Sequence, residues 1–142
     1  EPANLFCADF MGNPTMNFIP CQGVKKDQAV ELTCRHFSVL FTPNQPLTLP
    51  AEGDYVLGVR PEFVKVKGDE GIEGTVISSL PSGMETTLSL AVKDITLSAV
   101  AFGSVDFAMD SVIHFGFEGD RYILFDAQST ENLGLGSLQI LN

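Results

Sequence analysis

Apolar and polar residues alternate with a period of two along most of the chain. Val30, Leu32 and Cys34 face one way, and Glu31, Thr33 and Arg35 the other. This is the pattern of a strand with one buried face. Phe37, Val39 and Phe41 repeat it over 37–42. The clearest case is 86–93, where Leu88, Leu90 and Val92 oppose Thr87, Ser89 and Lys93. Further strands are expected over 16–22, broken by Pro20, and over 55–59, 63–67 and 95–102. The mixed faces of 72–80 predict a central or curved strand, followed by a hairpin turn at Pro81-Ser82-Gly83. Residues 112–117 and 122–125 are expected to form a last hairpin around Glu118-Gly119-Asp120, and 137–141 to be a further strand or a free end.

Only the first residues carry a helical period. Ala3, Phe6, Cys7 and Phe10 fall at i, i+3, i+4 and i+7, with Pro2 at a favoured first position and Gly12 and Pro14 as the stop. One N-terminal helix, about nine short strands and frequent turn signals predict an all-β antiparallel sandwich or small barrel. The Pro-rich loop over 43–50 is expected to separate a smaller β lobe from a larger one.

The length of 142 residues is that of one domain. A net charge of −10, with Lys25-Lys26 as the one adjacent basic pair, argues against nucleic acid and anionic membrane surfaces. Cys7, Cys21 and Cys34 are odd in number and form no Cys-x-x-Cys pair. Free thiols in a cytosolic protein are the expectation. No apolar run approaches the ~18 residues of a membrane span. The chain begins at Glu1 rather than Met, which suggests a piece of a longer protein.

The sequence carries no catalytic set of residues. A phosphate-binding loop needs Lys before Ser or Thr, and no lysine here precedes either. Cys34 and His36 would share a strand face roughly 7 Å apart, but a small buried thiol and a rim histidine explain them as well. His114 stands in an apolar strand without a second metal ligand nearby in sequence. Glu52/Asp54 and Asp69/Glu70 read as solvated turns. Asp126, just past an apolar run, is expected to start a turn by accepting backbone N–H groups, or else to face a partner. Leu57-Gly58-Val59-Arg60-Pro61-Glu62 is a strand running into a rigid charged corner. Since Pro61 restricts Arg60 to extended geometry, Arg60 is expected to be paired or hydrogen-bonded.

Three stretches together resemble a known family. Pro2 to Phe18 is similar to the segment that leaves the nucleotide-binding domain in ATP-binding subunits of carbohydrate-importing ABC transporters, where the pattern is roughly P-x-N-x-F-V-A-x-F-I-G-x-P-x-M-N. Leu57 to Glu62 matches the family's L-G-[VI]-R-P-E. Leu124-Phe125-Asp126, with Ser129 and Leu133, is similar to its closing L-F-D-x-x-T-G-x-R-L. Cys7 replaces a usual valine, Ser78 to Glu85 is one residue longer than its E-x-L-G-x-E counterpart, and the Gly-x-Arg after Asp126 is missing.

The resemblance implies a C-terminal regulatory domain of the maltose/glycerol-3-phosphate importer type, with an OB-like fold. Residues 1–16 would be a connector helix from an ATPase domain, and 17–142 the OB-like domain. The chain itself would be non-catalytic and hold no cofactor or metal, with ATP and Mg²⁺ bound by the ATPase domain. Partners would be a second copy of the subunit, the membrane subunits and a regulatory protein, at the inner face of the cell membrane. Interface or structural-corner residues would be Phe6, Phe10 and Asn17 in the first motif, Arg60 and Glu62 in the second, and Phe125 and Asp126 in the third. The alternative is a β-domain that senses a small ligand, an oxyanion or a sugar.

Overall fold

A computed structural model describes residues 16–103 and 106–141. The expected helix over 1–12, with Phe6, Cys7 and Phe10, lies outside the described residues. The strands are β1 (Asn17–Lys26), β2 (Ala29–Cys34), β3 (Ser38–Pro43), β4 (Glu52–Val59), β5 (Val64–Lys67), β6 (Ile72–Ser82), β7 (Glu85–Val92), β8 (Ile95–Phe102), β9 (Val112–Phe117), β10 (Tyr122–Asp126) and β11 (Asn132–Ile140). A 3-10 turn, Pro61–Phe63, joins β4 to β5.

The strands sort into two compact units. Residues up to Val59 and from Gly119 onward form one, and Arg60–Glu118 the other. The division therefore falls at the charged corner. The Pro-rich loop expected to mark it belongs wholly to the first unit, where it is pinned by backbone bonds. Asn44 N–H donates to Leu135 O at 2.9 Å, and Lys25 N–H to Ala51 O at 2.8 Å.

The first unit is a closed antiparallel barrel in the order β1-β2-β3-β11-β10-β4. It is OB-like in being small, closed and all antiparallel. Period-two alternation fills it. Leu32, Val39, Phe41, Leu57, Val59, Tyr122 and Leu124 are all fully buried. β11 closes the wall by pairing with both β3 and β10, so the chain end is a barrel strand and not free. β1 also runs straight through Pro20. Pairing with β2 starts only at Cys21, so Pro20 has β4 alone as neighbour and its missing N–H is tolerated as at a sheet edge.

The second unit is a five-stranded antiparallel sheet in the order β5-β9-β6-β7-β8. β6 is its central strand, and the register shifts between Val76 and Ser78. That bulge at Ile77 is why the faces of this strand read as mixed. The hairpin that follows turns at Gly83-Met84, one step later than expected, because Pro81 and Ser82 still pair with Thr86 and Glu85. Gly83, at φ 66°, supplies the left-handed residue such a two-residue turn needs. The sheet curls so that its two edges approach. Lys65 Nζ of β5 lies 4.9 Å from the centre of the Phe102 ring of β8. Val76, Leu88, Leu90, Ala99 and Phe115 are among its fully buried positions. Thr86, also buried, donates its hydroxyl to Gly103 O.

The expected last hairpin does not exist. β9 pairs with β5 and β6, whereas β10 pairs with β4 and β11. Two β runs joined by a glycine are a local hairpin signal, but burial decides the partner. Phe115 completes the core of the sheet, and Tyr122 and Leu124 that of the barrel. Asn44 Nδ2–H donates to Asp120 O at 2.8 Å and fixes the start of the return to the barrel.

Candidate functional site

The corner that follows β4 is built from backbone. Arg60 is extended at φ −71° and ψ 141°, and Pro61 opens the 3-10 turn. Phe63 N–H donates to Arg60 O at 3.0 Å, and Pro61 is the buried residue. The Arg60 side chain is exposed. Among the described residues no hydrogen-bond or ion-pair partner of its guanidinium is seen. Proline restricts the preceding backbone and leaves the preceding side chain unconstrained. Glu62 is half-exposed in the first turn. Arg60→Ala is therefore expected to change stability by less than about 0.5 kcal/mol, and Pro61→Ala by more. Paired urea melts would check this, and a larger loss for Arg60→Ala would mean an unseen partner.

The second and third motifs meet on the barrel wall. A Cβ built on Gly58 would lie 3.0 Å from Phe125 Cε2 and 3.4 Å from Met16 Sδ. Gly58 is thus the flat spot on which the Phe125 ring rests, an aromatic cover over a bare strand position. Phe18 stands opposite Gly58 on β1 and packs on Phe125 with ring centres 6.0 Å apart. Asn17, beside Phe18, is buried at 8% exposure and has a bonding partner.

Asp126 is a turn brace. Its Oδ2 accepts from Gln128 N–H at 3.0 Å and Ser129 N–H at 2.7 Å, and its carbonyl accepts from Thr130 N–H at 2.9 Å. Bonds from Ser129 hold its carboxyl below the usual aspartate range, against a smaller opposing effect of burial. A lowered folded value means the stabilisation is full above the unfolded value, about pH 4, and is lost as pH falls through the folded value. Asp126→Ala is expected to lose about 1–2 kcal/mol at neutral pH. Urea melts should show the gap from the parent chain closing below about pH 4. A gap independent of pH would contradict the brace.

Beside this turn the barrel wall carries an open depression of about 490 Å³. Pro20, Cys21 and Gln22 of β1, Thr33, Cys34 and Arg35 near the end of β2, and Asp54, Tyr55 and Val56 of β4 line it. Tyr55 lies flat across two glycines. A Cβ on Gly23 would sit 2.6 Å from Tyr55 Cε2, and one on Gly53 2.9 Å from its hydroxyl. Burial and the Asp126 charge both push the Tyr55 phenol up from its ordinary value, so it stays a neutral donor. Cys21 and Cys34 are opposed in register, and their Sγ atoms share a hydrogen bond at 3.3 Å.

Cys34 is a small buried thiol and His36 is half-buried at the rim, the plainer of the two readings of this pair. The chain leaves β2 at Cys34 and bends at Arg35 and His36, so the two do not share a strand face. The partner of Cys34 is Cys21, which sequence reasoning missed. The signal was present: with a two-residue turn at Asp27-Gln28, Cys21 and Cys34 fall opposite each other. His114 faces Glu73 and Lys67 on neighbouring strands. Asp69 and Glu70 are exposed in a turn, and Glu52 and Asp54 are exposed on β4. Among the described residues no three His, Cys, Asp or Glu side chains gather as a metal site, and no helix is long and apolar enough to cross a membrane.

A small closed barrel is interrupted in sequence, between β4 and β10, by a curled five-stranded sheet. Residues 12–64 match the MalK OB fold domain and residues 57–125 the TOBE domain. The chain belongs to the OB/TOBE regulatory-domain family of ABC-importer ATP-binding subunits. It is 33% identical over 106 residues to the ABC transporter ATP-binding protein y4oS of Sinorhizobium fredii, covering 75% of this chain and 28% of that protein. It is 33% identical over 96 residues to the maltose/maltodextrin import ATP-binding protein MalK of Vibrio cholerae, covering 65% and 26%. It is 36% identical over 70 residues to the sn-glycerol-3-phosphate import ATP-binding protein UgpC of Cereibacter sphaeroides, covering 49% and 17%. These matches thus span less than a third of the relatives' lengths.

Proposed function

We propose that this chain is the part of a sugar-importer ATPase subunit that helps hold two subunits together and passes control signals to the ATPase. One observation carries this reading: the OB and TOBE matches follow each other along the chain. Residues 1–16 then connect to a nucleotide-binding domain, and 17–142 form the regulatory part. That other domain binds ATP and Mg²⁺ and hydrolyses the nucleotide. This part supplies no catalytic residue and binds no cofactor. Its partners are a second copy of the subunit, the membrane subunits and a regulatory protein, which places it at the inner face of the membrane. Asn17, Glu62, Phe125 and Asp126 shape the corner and the barrel wall that such contacts use.

The test begins upstream of Glu1. An open reading frame carrying Gly-x-x-x-x-Gly-Lys-Ser/Thr is expected there, and finding none would end the proposal. In the full-length subunit, removal of residues 17–142 is expected to leave ATP hydrolysis measurable while weakening self-association in sedimentation. Unchanged association would remove the dimer-holding role. The depression lined by Gln22, Thr33, Arg35 and Asp54 favours one second reading, small-ligand sensing. Titration calorimetry with maltose, glycerol 3-phosphate, sulfate and phosphate addresses it. Heat with none of them removes that reading.

A further inference from the structure

We propose that Cys21 and Cys34 are a modification site: a dithiol that closes to a cross-strand disulfide by exchange with a small disulfide such as glutathione disulfide. The inference is independent of the transporter assignment and rests on barrel geometry.

The strand register places the pair correctly. Cys21 and Cys34 are directly opposite in the antiparallel β1–β2 ladder. Facing residues in such a ladder alternate between hydrogen-bonded pairs and closer, non-bonded ones. Lys26 and Ala29 flank the two-residue turn, where the pair is hydrogen-bonded. Counting outward by alternation makes Cys21/Cys34 a non-bonded pair. A second observation agrees. Cys34 N–H donates to Phe37 O at 2.8 Å, so its backbone polar groups point away from β1. Non-bonded partners have Cα atoms about 4.5 Å apart, within the range of about 4.4–6.8 Å that a disulfide spans. The sulfurs, already 3.3 Å apart, need only side-chain rotation to bond, and neither strand has to move.

Access would be through the depression. Both cysteines line it, although each is buried to 5% exposure or less. Their environment also sets the pace. The bond to Cys34, and then burial, push the Cys21 thiol far up, so little thiolate is present at neutral pH. Closure is slow, on the order of minutes to hours without a catalyst. No third His, Cys, Asp or Glu among the described residues joins the pair, which favours oxidation over metal binding.

The chemistry balances. One cysteine thiolate attacks a sulfur of glutathione disulfide, forms a mixed disulfide and expels one glutathione thiolate. The second cysteine loses its proton and attacks the protein-side sulfur of that mixed disulfide. The Cys21–Cys34 bond forms and the second glutathione leaves. The protein has lost two electrons and two protons, and glutathione disulfide has become two thiols. The product staples β1 to β2 in the barrel wall.

The test uses the full chain carrying Cys7→Ser, equilibrated in glutathione buffers of rising oxidised fraction, acid-quenched, alkylated and mapped by mass spectrometry. Both thiols are expected to disappear together into one intramolecular disulfide, with circular dichroism unchanged. The barrel's melting temperature is expected to rise by roughly 5–15 °C, as for a short closed loop, and to fall back on adding dithiothreitol. A mixed glutathione adduct that persists would show that the second thiol cannot attack, and would overturn the proposal. So would thiols that oxidise only once denaturant is added. The further change Cys21→Ser in the same background is expected to trap glutathione on Cys34 in the folded state. Failure to trap it would show that the depression gives no access, with the same consequence.

Discussion

Gly71→Ala is expected to cost about 3–5 kcal/mol, enough to unfold much of the Arg60–Glu118 sheet at room temperature. Gly71 sits at φ 112°, and a Cβ there would lie 2.2 Å from the carbonyl oxygen of Phe115. Both faults act at once. An L-residue at this φ is strained by order 1–3 kcal/mol. The clash is with backbone, so no rotamer relieves it. The next residue, Ile72, opens the β6–β9 ladder opposite the same Phe115, so a shift at Gly71 pulls on the central strand. Urea melts of the variant should show the loss, and amide exchange should speed up first in β6 and β9. A change below 0.5 kcal/mol, the ordinary scatter of surface substitutions, would mean the close approach is not made.

Gly136→Ala is expected to damage the barrel comparably, by about 3 kcal/mol or more. Here the obstacle is space. A Cβ on Gly136 would meet Thr42 O at 2.4 Å and Phe41 Cζ at 2.6 Å. Gly136 stands opposite Pro43 where β11 meets β3, the seam that closes the barrel. Phe41 is fully buried and cannot swing away. Adding Phe41→Leu should recover only the part of the loss caused by the ring, because the Thr42 carbonyl remains. A double-mutant cycle read by thermal melts separates the two. Full recovery in the double variant would show that the backbone contact costs nothing. Gly136 and Gly71 were both silent in the sequence, since nothing local marks a glycine whose neighbour lies far along the chain.

The corner and the closing motif show how far local pattern reaches. That Leu57–Val59 is a strand and Pro61 ends it follows from residue types alone. That Gly58 is the seat for Phe125 needs two stretches far apart in the chain brought side by side. Asp126 was legible in its role, because an aspartate past a strand bonds its own backbone whatever surrounds it.

What the sequence determined by itself is the set of strands with one buried face, the turn chemistry and the family. Each rests on interactions within a few residues or on motifs kept in order along the chain. The alternation of 30–34, 37–41 and 86–92 reappears as a buried face opposed by a half-buried to exposed one. Tertiary structure alone decided which strands pair. β9 and β10 look like one hairpin yet enter different units, and the last strand closes a barrel instead of trailing free. It also decided that Cys21 faces Cys34. The physical reason is that strand pairing is satisfied equally well by any edge. The choice among edges is made by the burial of side chains that come together only when the whole chain has folded.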